Sequence, residues 1–409
     1  MQIESGDYET YTRAVTNQHL RTLGDFARSL AAQQPAVIVT GPRQSGKTTL
    51  CRMTWPEAPY VNLERPDIRA FAQDDPSGFL AQFAQGAILD EIQRVPDLTS
   101  WLQVLIDEDP TPGRWILTGS EQLTITGRTS QSLAGRAGFA HLLPFDVEEL
   151  AAAGLVDTGD HWSDVLLRGG YPAPFVRPVE RSLWLDGYVQ SYLERDVRNV
   201  LAVGDLSRFQ TFLGLAAAWT GQTVNLSRLG SDAGVTHPTA GSWLSVLEAT
   251  FLTYRLRPWH ANIGKRLTKS PKLHWWDAGL LCHLLRIRTA QQLLQHPLRG
   301  AIFETWVISE LLKLVHHRGE RPDAFFYGEH QGLEVDLLLR RDDHWLAIEI
   351  KSGATVANDA YRPLTRVMDR LGGAIDGLPM RPTLIYGGDD RQRRTDADVV
   401  PWRELATLL

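Results

Sequence analysis

Residues Gly41-Pro42-Arg43-Gln44-Ser45-Gly46-Lys47-Thr48 match the pattern G-x-x-x-x-G-K-[ST] at every fixed position. Residues 36–40 before them are apolar and β-branched, which predicts a strand, and residues 49–53 after them predict the first turns of a helix. Strand, glycine-rich loop and helix is the context in which this pattern binds phosphate, because loop N–H groups and the helix N-terminus attract anions. We therefore predict a nucleotide site here.

The side chains of this loop predict ATP and Mg²⁺ as the cofactors. Lys47 is expected to reach the β- and γ-phosphates and to act in catalysis, and the Thr48 hydroxyl is expected to bind Mg²⁺. The residues predicted to bind ATP are Gly41, Pro42, Arg43, Gln44, Ser45, Gly46, Lys47, Thr48 and Thr49.

A second acidic element follows at residues 87–91, Ala-Ile-Leu-Asp-Glu, where a buried strand ends in two acids. Alone, such a pair also fits a solvated turn, but its position after a P-loop favours a Walker B element. Asp90 would then hold Mg²⁺, and Glu91 would act as the base that polarises the attacking water.

Hydroxyl and arginine side chains follow on the next strands. Thr118 and Ser120 stand at the carboxyl end of the strand in residues 114–120, where ligands of parallel sheets bind, so either can contact the γ-phosphate or the water. A turn that uses Thr-Gly-Ser chemistry is the alternative. Arg136 lies in a glycine-flanked turn, and the residues alone favour a salt-bridged surface position for it.

Several phrases in this order carry a resemblance to AAA+ ATPases. They are the P-loop, Leu89-Asp90-Glu91-Ile92-Gln93, Leu117-Thr118-Gly119-Ser120, Leu133-Ala134-Gly135-Arg136, Pro144-Phe145, Tyr192-Leu193-Glu194-Arg195-Asp196-Val197 and Ser270-Pro271-Lys272-Leu273. Over nearly the whole chain, the sequence resembles a bacterial and archaeal family of AAA-type ATPases with a C-terminal domain of unknown function. The resemblance implies that Arg136 is an arginine finger or sensor, acting in cis or in trans.

The chain is predicted to be an α/β protein with four parts. Residues 20–150 alternate strands and helices, as in a P-loop domain with a parallel sheet, and residues 151–204 predict a helical lid. Residues 205–292 predict a winged helix, whose basic wing holds Arg257, His260, Lys265, Arg266 and Lys269. That part either contacts nucleic acid without base readout or packs as a scaffold. Residues 293–409 form the last part.

Acids and a lysine distinguish this C-terminal part. An amphipathic helix carries Glu304, one strand carries Asp336, and a second strand carries Glu349 and Lys351 on one face. Carboxylates that hold Mg²⁺ beside a lysine can hydrolyse phosphodiesters, so we predict Asp336, Glu349 and Glu304 as metal ligands and Glu349 and Lys351 as catalytic. The alternative is a pair of solvated hairpin acids.

The order helix acid, Asp, Glu-x-Lys resembles the PD-(D/E)XK nuclease superfamily over residues 298–390. The residue before the first Asp, usually Pro, is Val335 here. The resemblance implies a nuclease-like fold, but members of the superfamily also keep the fold without the metal. Three functions stay open: an ATPase that acts on nucleic acid, an ATP-dependent switch whose C-terminal domain only binds a partner, and a transcriptional regulator that binds DNA selectively through the winged helix.

Composition limits the remaining classes. The 409 residues include 43% hydrophobic residues, with a net charge of -6 and two cysteines, Cys51 and Cys282. This predicts several packed domains in a reducing cytoplasm, without a disulfide framework, and restricts any nucleic-acid contact to a local face. As the nucleic-acid partner, we expect DNA rather than RNA. The sequence contains no apolar run of the kind that would predict a signal peptide or a membrane span. The oligomeric state stays open.

Overall fold

The computed structural model describes residues 21–119, 133–192, 206–262, 264, 269–329, 332–357 and 359–409. Two sheets organise them, a five-stranded sheet near the N-terminus and a nine-stranded sheet that spans the middle and C-terminal parts. Among the described helices, none combines the length and apolar character needed to cross a bilayer.

The first sheet has the strand order β2-β3-β4-β1-β5, and its described pairings are all parallel. Its strands are β1 (Ala36–Thr40), β2 (Tyr60–Asn62), β3 (Ala87–Asp90), β4 (Trp115–Gly119) and β5 (Ala137–His141). The helices around it are α1 (Leu23–Ala31), α2 (Lys47–Thr54), α3 (Pro66–Asp74), α4 (Pro76–Ala81) and α5 (Leu98–Glu108). Ile38 packs into one core and Val37 into another, so both faces of the sheet are covered. The predicted parallel α/β arrangement is confirmed.

Helices dominate the segment after this sheet. They are α6 (Val147–Ala152), α7 (Trp162–Arg168), α8 (Ala173–Val176), α9 (Arg181–Tyr192), α10 (Leu206–Ala218), α11 (Leu226–Asp232) and α12 (His237–Ala249). Thr236 caps α12, because its side chain accepts a hydrogen bond from the Thr239 N–H. An antiparallel pair follows, β6 (Thr253–Pro258) and β7 (Lys272–Trp275), so the order is helix, helix, hairpin.

The C-terminal part adds helices and the rest of the second sheet. Its elements are α13 (Ala278–Leu284), α14 (Ala290–Gln295), α15 (Arg299–His317), β8 (Ala324–Gly328), β9 (Glu334–Arg340), β10 (Trp345–Lys351), α16 (Arg362–Leu371), β11 (Ala374–Ile375), β12 (Leu378–Tyr386), β13 (Gln392–Arg393) and β14 (Asp398–Pro401). The sheet order is β13-β14-β12-β10-β9-β8-β6-β7, with β11 on β12.

One apolar core runs from Leu143 to Leu405 and includes side chains of the helical, middle and C-terminal parts. The sheet also joins these parts, because β6 pairs in parallel with β8 through Arg257 and Phe325. The sheet and this core therefore both extend across the domain boundary expected at residue 292. Side chains from the middle part can consequently reach the C-terminal strands.

Candidate functional site

The P-loop follows β1 at the carboxyl edge of the first sheet, and α2 begins at Lys47. Gly41 has φ +151°, and a Cβ at this position would lie 2.0 Å from the carbonyl oxygen of Leu142. Gly46, the residue before α2, has φ +96°. Gly41 is therefore required because a side chain would clash with the backbone of Leu142, and Gly46 is required because of its positive φ angle.

Lys47 points back into its own loop. Its Nζ donates hydrogen bonds to the carbonyl oxygens of Gly41 at 2.9 Å and Pro42 at 2.8 Å. The side chain is buried, and burial lowers the pKa of Lys47 to about 8. A polyphosphate in the loop would offset the unfavourable free energy of burying the Lys47 ammonium, because it would place negative charge beside it.

Asp90, the last residue of β3, accepts hydrogen bonds from three hydroxyl groups. Thr48 Oγ1 donates to Oδ2 at 3.0 Å, Tyr60 OH donates to the same oxygen at 2.6 Å, and Thr118 Oγ1 donates to Oδ1. Asp90 is only 4% exposed. The structure thus brings together the two predicted Mg²⁺ ligands, Thr48 and Asp90, and Thr118.

Glu91 adopts a left-handed backbone conformation, with φ +60°. Its N–H donates to Thr118 Oγ1 at 3.2 Å, and its carboxylate accepts a hydrogen bond from Gln93. Burial raises the pKa of Glu91, although the nearby Lys47 ammonium opposes the rise. A carboxylate of raised pKa is a better proton acceptor, and strained backbone of this kind is common at functional sites.

Two predicted residues are not part of this cluster. Ser120 lies outside the described residues, so the hydroxyl near the acids is that of Thr118. Arg136 precedes β5, and its carbonyl oxygen accepts from the Ala36 N–H at the start of β1. It therefore lies at the sheet edge opposite to the P-loop, where its guanidinium contacts Asp107 at 2.5 and 2.9 Å. Arg136 thus has the salt-bridged surface position that the residues alone favoured, and the strand register separates it from the P-loop of its own chain. The finger or sensor role that the resemblance implies stays a prediction.

Sequence reasoning missed two residues at this edge, Tyr60 and Arg21. Tyr60 is the first residue of β2, and no motif marks its contact with Asp90. Arg21 donates to the P-loop carbonyl of Ser45 at 3.0 Å and to Glu149 at 3.0 Å. The contact with Glu149 spans 128 positions of sequence, so local patterns carry no signal for it.

The C-terminal acids lie on neighbouring antiparallel strands. Leu337 on β9 pairs with Ile348 on β10, which sets Asp336 beside Glu349. Asp336 Oδ2 accepts from the Ile350 N–H at 2.8 Å, and Lys351 Nζ donates to Glu349 Oε1 at 2.5 Å. The other oxygen of Glu349 is buried and has no hydrogen-bond partner among the described residues.

Glu304 reaches the same pocket from α15. Burial, together with repulsion from Asp336, raises the pKa of both Glu304 and Glu349 to about 8. Lys272 of β7, which sequence reasoning did not assign to this pocket, donates to Glu304 Oε1 at 3.0 Å. The pocket thus combines residues of the middle and C-terminal parts.

The ligand atoms of Glu304, Asp336 and Glu349 do not all lie within 4.8 Å of one another. Within the described parts of the chain, Asp146, Glu149 and His317 do form a group of three acidic or histidine residues whose ligand atoms all lie within 4.8 Å of one another. His317 Nδ1 lies 2.7 Å from Asp146 Oδ2, and Glu149 also binds Arg21. That cluster lies at the contact between α6 and α15.

Three family models match the chain in succession. A model described as an AAA domain matches residues 33–151, a domain of unknown function (DUF8612) matches residues 159–291, and a second domain of unknown function (DUF4143) matches residues 299–405. The first match contains the P-loop and Asp90, so the chain carries a P-loop ATPase domain of the AAA type.

Two mycobacterial relatives match most of the chain. The uncharacterized proteins Rv2008c of Mycobacterium tuberculosis and Mb2031c of Mycobacterium bovis are each 33% identical over 382 residues, which cover 91% of this chain and 81% of theirs. The chain belongs to their family. Its members in these comparisons thus share both the ATPase part and the C-terminal part.

Solved structures give weaker likenesses. The Walker-type ATPase PABY2304 of Pyrococcus abyssi is 15% identical, with a TM-score of 0.44, over 64% of this chain and 94% of that chain. The T158V variant of RuvB from Thermotoga maritima is 20% identical, with a TM-score of 0.28, over 60% of this chain and 89% of that chain.

Proposed function

We propose that the protein hydrolyses ATP in a Mg²⁺-dependent reaction at the carboxyl edge of the first sheet. The observation that carries this proposal is the convergence of Thr48 and Thr118 on Asp90, with Glu91 next in the chain and Lys47 inside the P-loop. The donor set fits Mg²⁺, because a hydroxyl and a carboxylate that Mg²⁺ favours lie 3.0 Å apart.

Each residue then has a role. Lys47 and the loop N–H groups bind and orient the phosphates, and Thr48 and Asp90 hold Mg²⁺, which neutralises charge on the β- and γ-phosphates when it is bound. Glu91 accepts a proton from the attacking water, and its raised pKa suits this role. Thr118 holds the Asp90 carboxylate and the Glu91 backbone in position.

ATP binding and hydrolysis by purified variants test this proposal. Lys47→Ala should abolish nucleotide binding, whereas Glu91→Gln should bind ATP and reduce turnover by about 10²- to 10⁴-fold. Arg28→Ala, which removes an exposed cation on α1, is the charge-matched control for Lys47→Ala and should behave as wild type. Hydrolysis at the wild-type rate by Glu91→Gln would remove Glu91 from the role of base.

We propose as a second function that the C-terminal domain is nuclease-like and acts on nucleic acid, with DNA favoured over RNA. The supporting observation is the cluster of Asp336, Glu349 and Lys351 on adjacent strands, with a buried Glu349 oxygen that lacks a partner among the described residues. Carboxylate oxygens suit Mg²⁺ or Mn²⁺, and Lys351 can stabilise charge on a scissile phosphate.

We also propose that the hairpin of β6 and β7 contacts nucleic acid, as the winged-helix interpretation predicts. Arg257 near the end of β6 and Lys269 shortly before β7 are exposed and can neutralise phosphates, while Lys265 and Arg266 lie outside the described residues. Arg257→Ala with Lys269→Ala should weaken binding to duplex DNA and reduce its salt dependence. Unchanged binding would leave this hairpin as a packing element.

A cleavage assay separates a nuclease from a binding scaffold. Single-stranded, duplex and branched DNA and RNA are incubated with Mg²⁺ or Mn²⁺, with and without ATP. Cleavage should be lost in Lys351→Ala and kept in Arg340→Ala, which removes an exposed cation at the end of β9. Loss in Lys47→Ala would show that ATP drives cleavage. If no condition gives cleavage while ATP is still hydrolysed, the protein is an ATP-dependent switch whose C-terminal domain binds a partner.

A further inference from the structure

A lysine from the middle part is buried among the C-terminal acids. Lys272 is the first residue of β7, and its side chain is 5% exposed. Its Nζ lies 3.0 Å from Glu304 Oε1 and 2.5 Å from Glu334 Oε1, and 5.4 Å from the centre of the Phe326 ring. The ammonium group therefore lies between a helix acid and a strand acid of the nuclease-like pocket.

The position of Lys272 is fixed by sheet pairing. Lys272 pairs with Leu256 on β6, and β6 pairs in parallel with β8 on its other edge. β8 in turn pairs with β9, which carries Glu334 and Asp336. Because β7, β6, β8 and β9 are consecutive strands of one sheet, the lysine is held beside the acids by backbone hydrogen bonds.

Apart from Lys272, the pocket contains more carboxylates than cationic side chains. Lys351 binds Glu349 at 2.5 Å, and Asp336 accepts from the backbone N–H of Ile350. Glu304 has Lys272 as its cationic partner among the described residues. Buried carboxylates destabilise one another unless a cation lies between them. Lys272 supplies the charge that a divalent cation would otherwise bring.

We propose that Lys272 occupies the place of a divalent cation in this pocket, so that the protein free of nucleic acid binds no Mg²⁺ or Mn²⁺ there. The inference rests on the proposed nuclease-like site. It also explains why the ligand atoms of Glu304, Asp336 and Glu349 do not all lie within 4.8 Å of one another, because Glu304 is held by the lysine instead. A cation bound by Glu304 and Asp336 would have to displace the Lys272 side chain.

Mn²⁺ binding tests the proposal. Free Mn²⁺ is measured by electron paramagnetic resonance with the 409-residue chain, without nucleotide or nucleic acid. Lys272→Met should bind Mn²⁺ at least about 10-fold more tightly than wild type, and Asp336→Asn in the same chain should remove that gain. Lys272→Arg keeps the cation and should gain nothing. Lys269→Met removes an exposed charge three positions earlier and should also gain nothing.

Two further comparisons keep the test decisive. If Lys272→Met does not fold, Lys272→Met with Glu304→Gln removes the buried pair together, keeps Asp336 and Glu349, and should show a smaller gain that Asp336→Asn again removes. Wild type itself should have no Mn²⁺ site that Asp336→Asn removes. A wild-type site of that kind, or a folded Lys272→Met chain with wild-type affinity, would overturn the proposal. Mn²⁺ gained without any cleavage would leave it standing and count against nuclease activity alone.

Discussion

Arg21 connects Glu149 to the P-loop through one guanidinium group. Its Nε donates to Glu149 Oε1 at 3.0 Å, and its Nη1 donates to the Ser45 carbonyl oxygen at 3.0 Å. Glu149 lies on α6, next to the buried Asp146 and His317. The guanidinium suits this role because its fixed fork can bond two acceptors in different directions, which a lysine ammonium does less well.

Arg21→Met should destabilise the protein and weaken nucleotide binding. The Arg21 and Glu149 side chains are 7% and 1% exposed, and removing one partner of a buried pair typically costs about 3 kcal/mol. The loss at Ser45 should also loosen the P-loop and raise the dissociation constant for ATP. Urea unfolding and titration with a fluorescent ATP analogue measure the two effects.

The exposed Arg28 provides the comparison for Arg21. Arg28 binds Asp25 at the surface, so Arg28→Met should leave both the urea midpoint and the ATP affinity close to wild type. Equal midpoints for Arg21→Met and Arg28→Met would show that the buried contact contributes nothing measurable to stability.

Thr118→Val should reduce turnover more than ATP affinity. Thr118 Oγ1 donates to Asp90 and accepts from the Glu91 N–H, so valine removes the group that positions both acids while keeping the shape of the side chain. A misplacement of this kind lowers the rate by about 10- to 100-fold. Steady-state ATP hydrolysis measures it.

Thr118→Ser restores the hydroxyl and should recover most of the rate. If Thr118→Val and Thr118→Ser hydrolyse ATP equally well, the hydroxyl has no positioning role. If Thr118→Val instead raises only the Michaelis constant for ATP, Thr118 contributes to ATP binding and not to turnover.

The cluster of Thr48, Asp90 and Thr118 beside the P-loop was predictable because its signals are local. The P-loop and the strand ending in Asp90 are short motifs, and parallel strands bring their carboxyl ends together whatever the intervening sequence. Arg136 shows the limit of this reasoning. The residues alone favoured a salt-bridged surface position, which the contact with Asp107 fits, whereas the family resemblance implied an arginine finger or sensor. The pairing of Ala36 with Ala137 sets Arg136 at the sheet edge opposite to the P-loop of its own chain.

The C-terminal pocket shows a second limit. The alternation of residues 345–351 predicted that Glu349 and Lys351 share a face, and the two side chains are in contact. Lys272 gave no such signal, because its contact with Glu304 depends on the pairing of β6 with β8 between segments that are distant in sequence. Contacts made by long-range strand pairing cannot be deduced from local periodicity.

Arg136→Ala should leave ATP hydrolysis within a chain unchanged, since Arg136 lies at the sheet edge away from the P-loop and contacts Asp107. The rate at low protein concentration checks this. A loss of activity that appears only at high protein concentration would indicate action in trans, and mixing with Lys47→Ala chains, which retain Arg136, should then restore hydrolysis at the Arg136→Ala sites. A loss that mixing does not restore would contradict the position of Arg136 away from its own site.

His274 makes the protein sensitive to acid. It is fully buried, its Nδ1 lies 3.0 Å from Thr305 Oγ1, and its Nε2 has no hydrogen-bond partner among the described residues. Burial, with a smaller contribution from Lys272, lowers the pKa of His274 from 6.5 to about 3. The unfolded chain therefore binds a proton between pH 6.5 and pH 3 that the folded chain does not, so stability falls as pH decreases through this window.

His274→Gln should remove this part of the pH dependence. Between pH 7.5 and pH 5, wild type should lose about 2 kcal/mol of unfolding free energy more than the variant, whatever the difference between them at pH 7.5. Urea unfolding at the two pH values measures this, and His237→Gln, which replaces an exposed histidine at the start of α12, should show the wild-type loss. Equal losses in His274→Gln and His237→Gln would mean that the buried imidazole accepts its proton in the folded state, which would require an acceptor or water at Nε2.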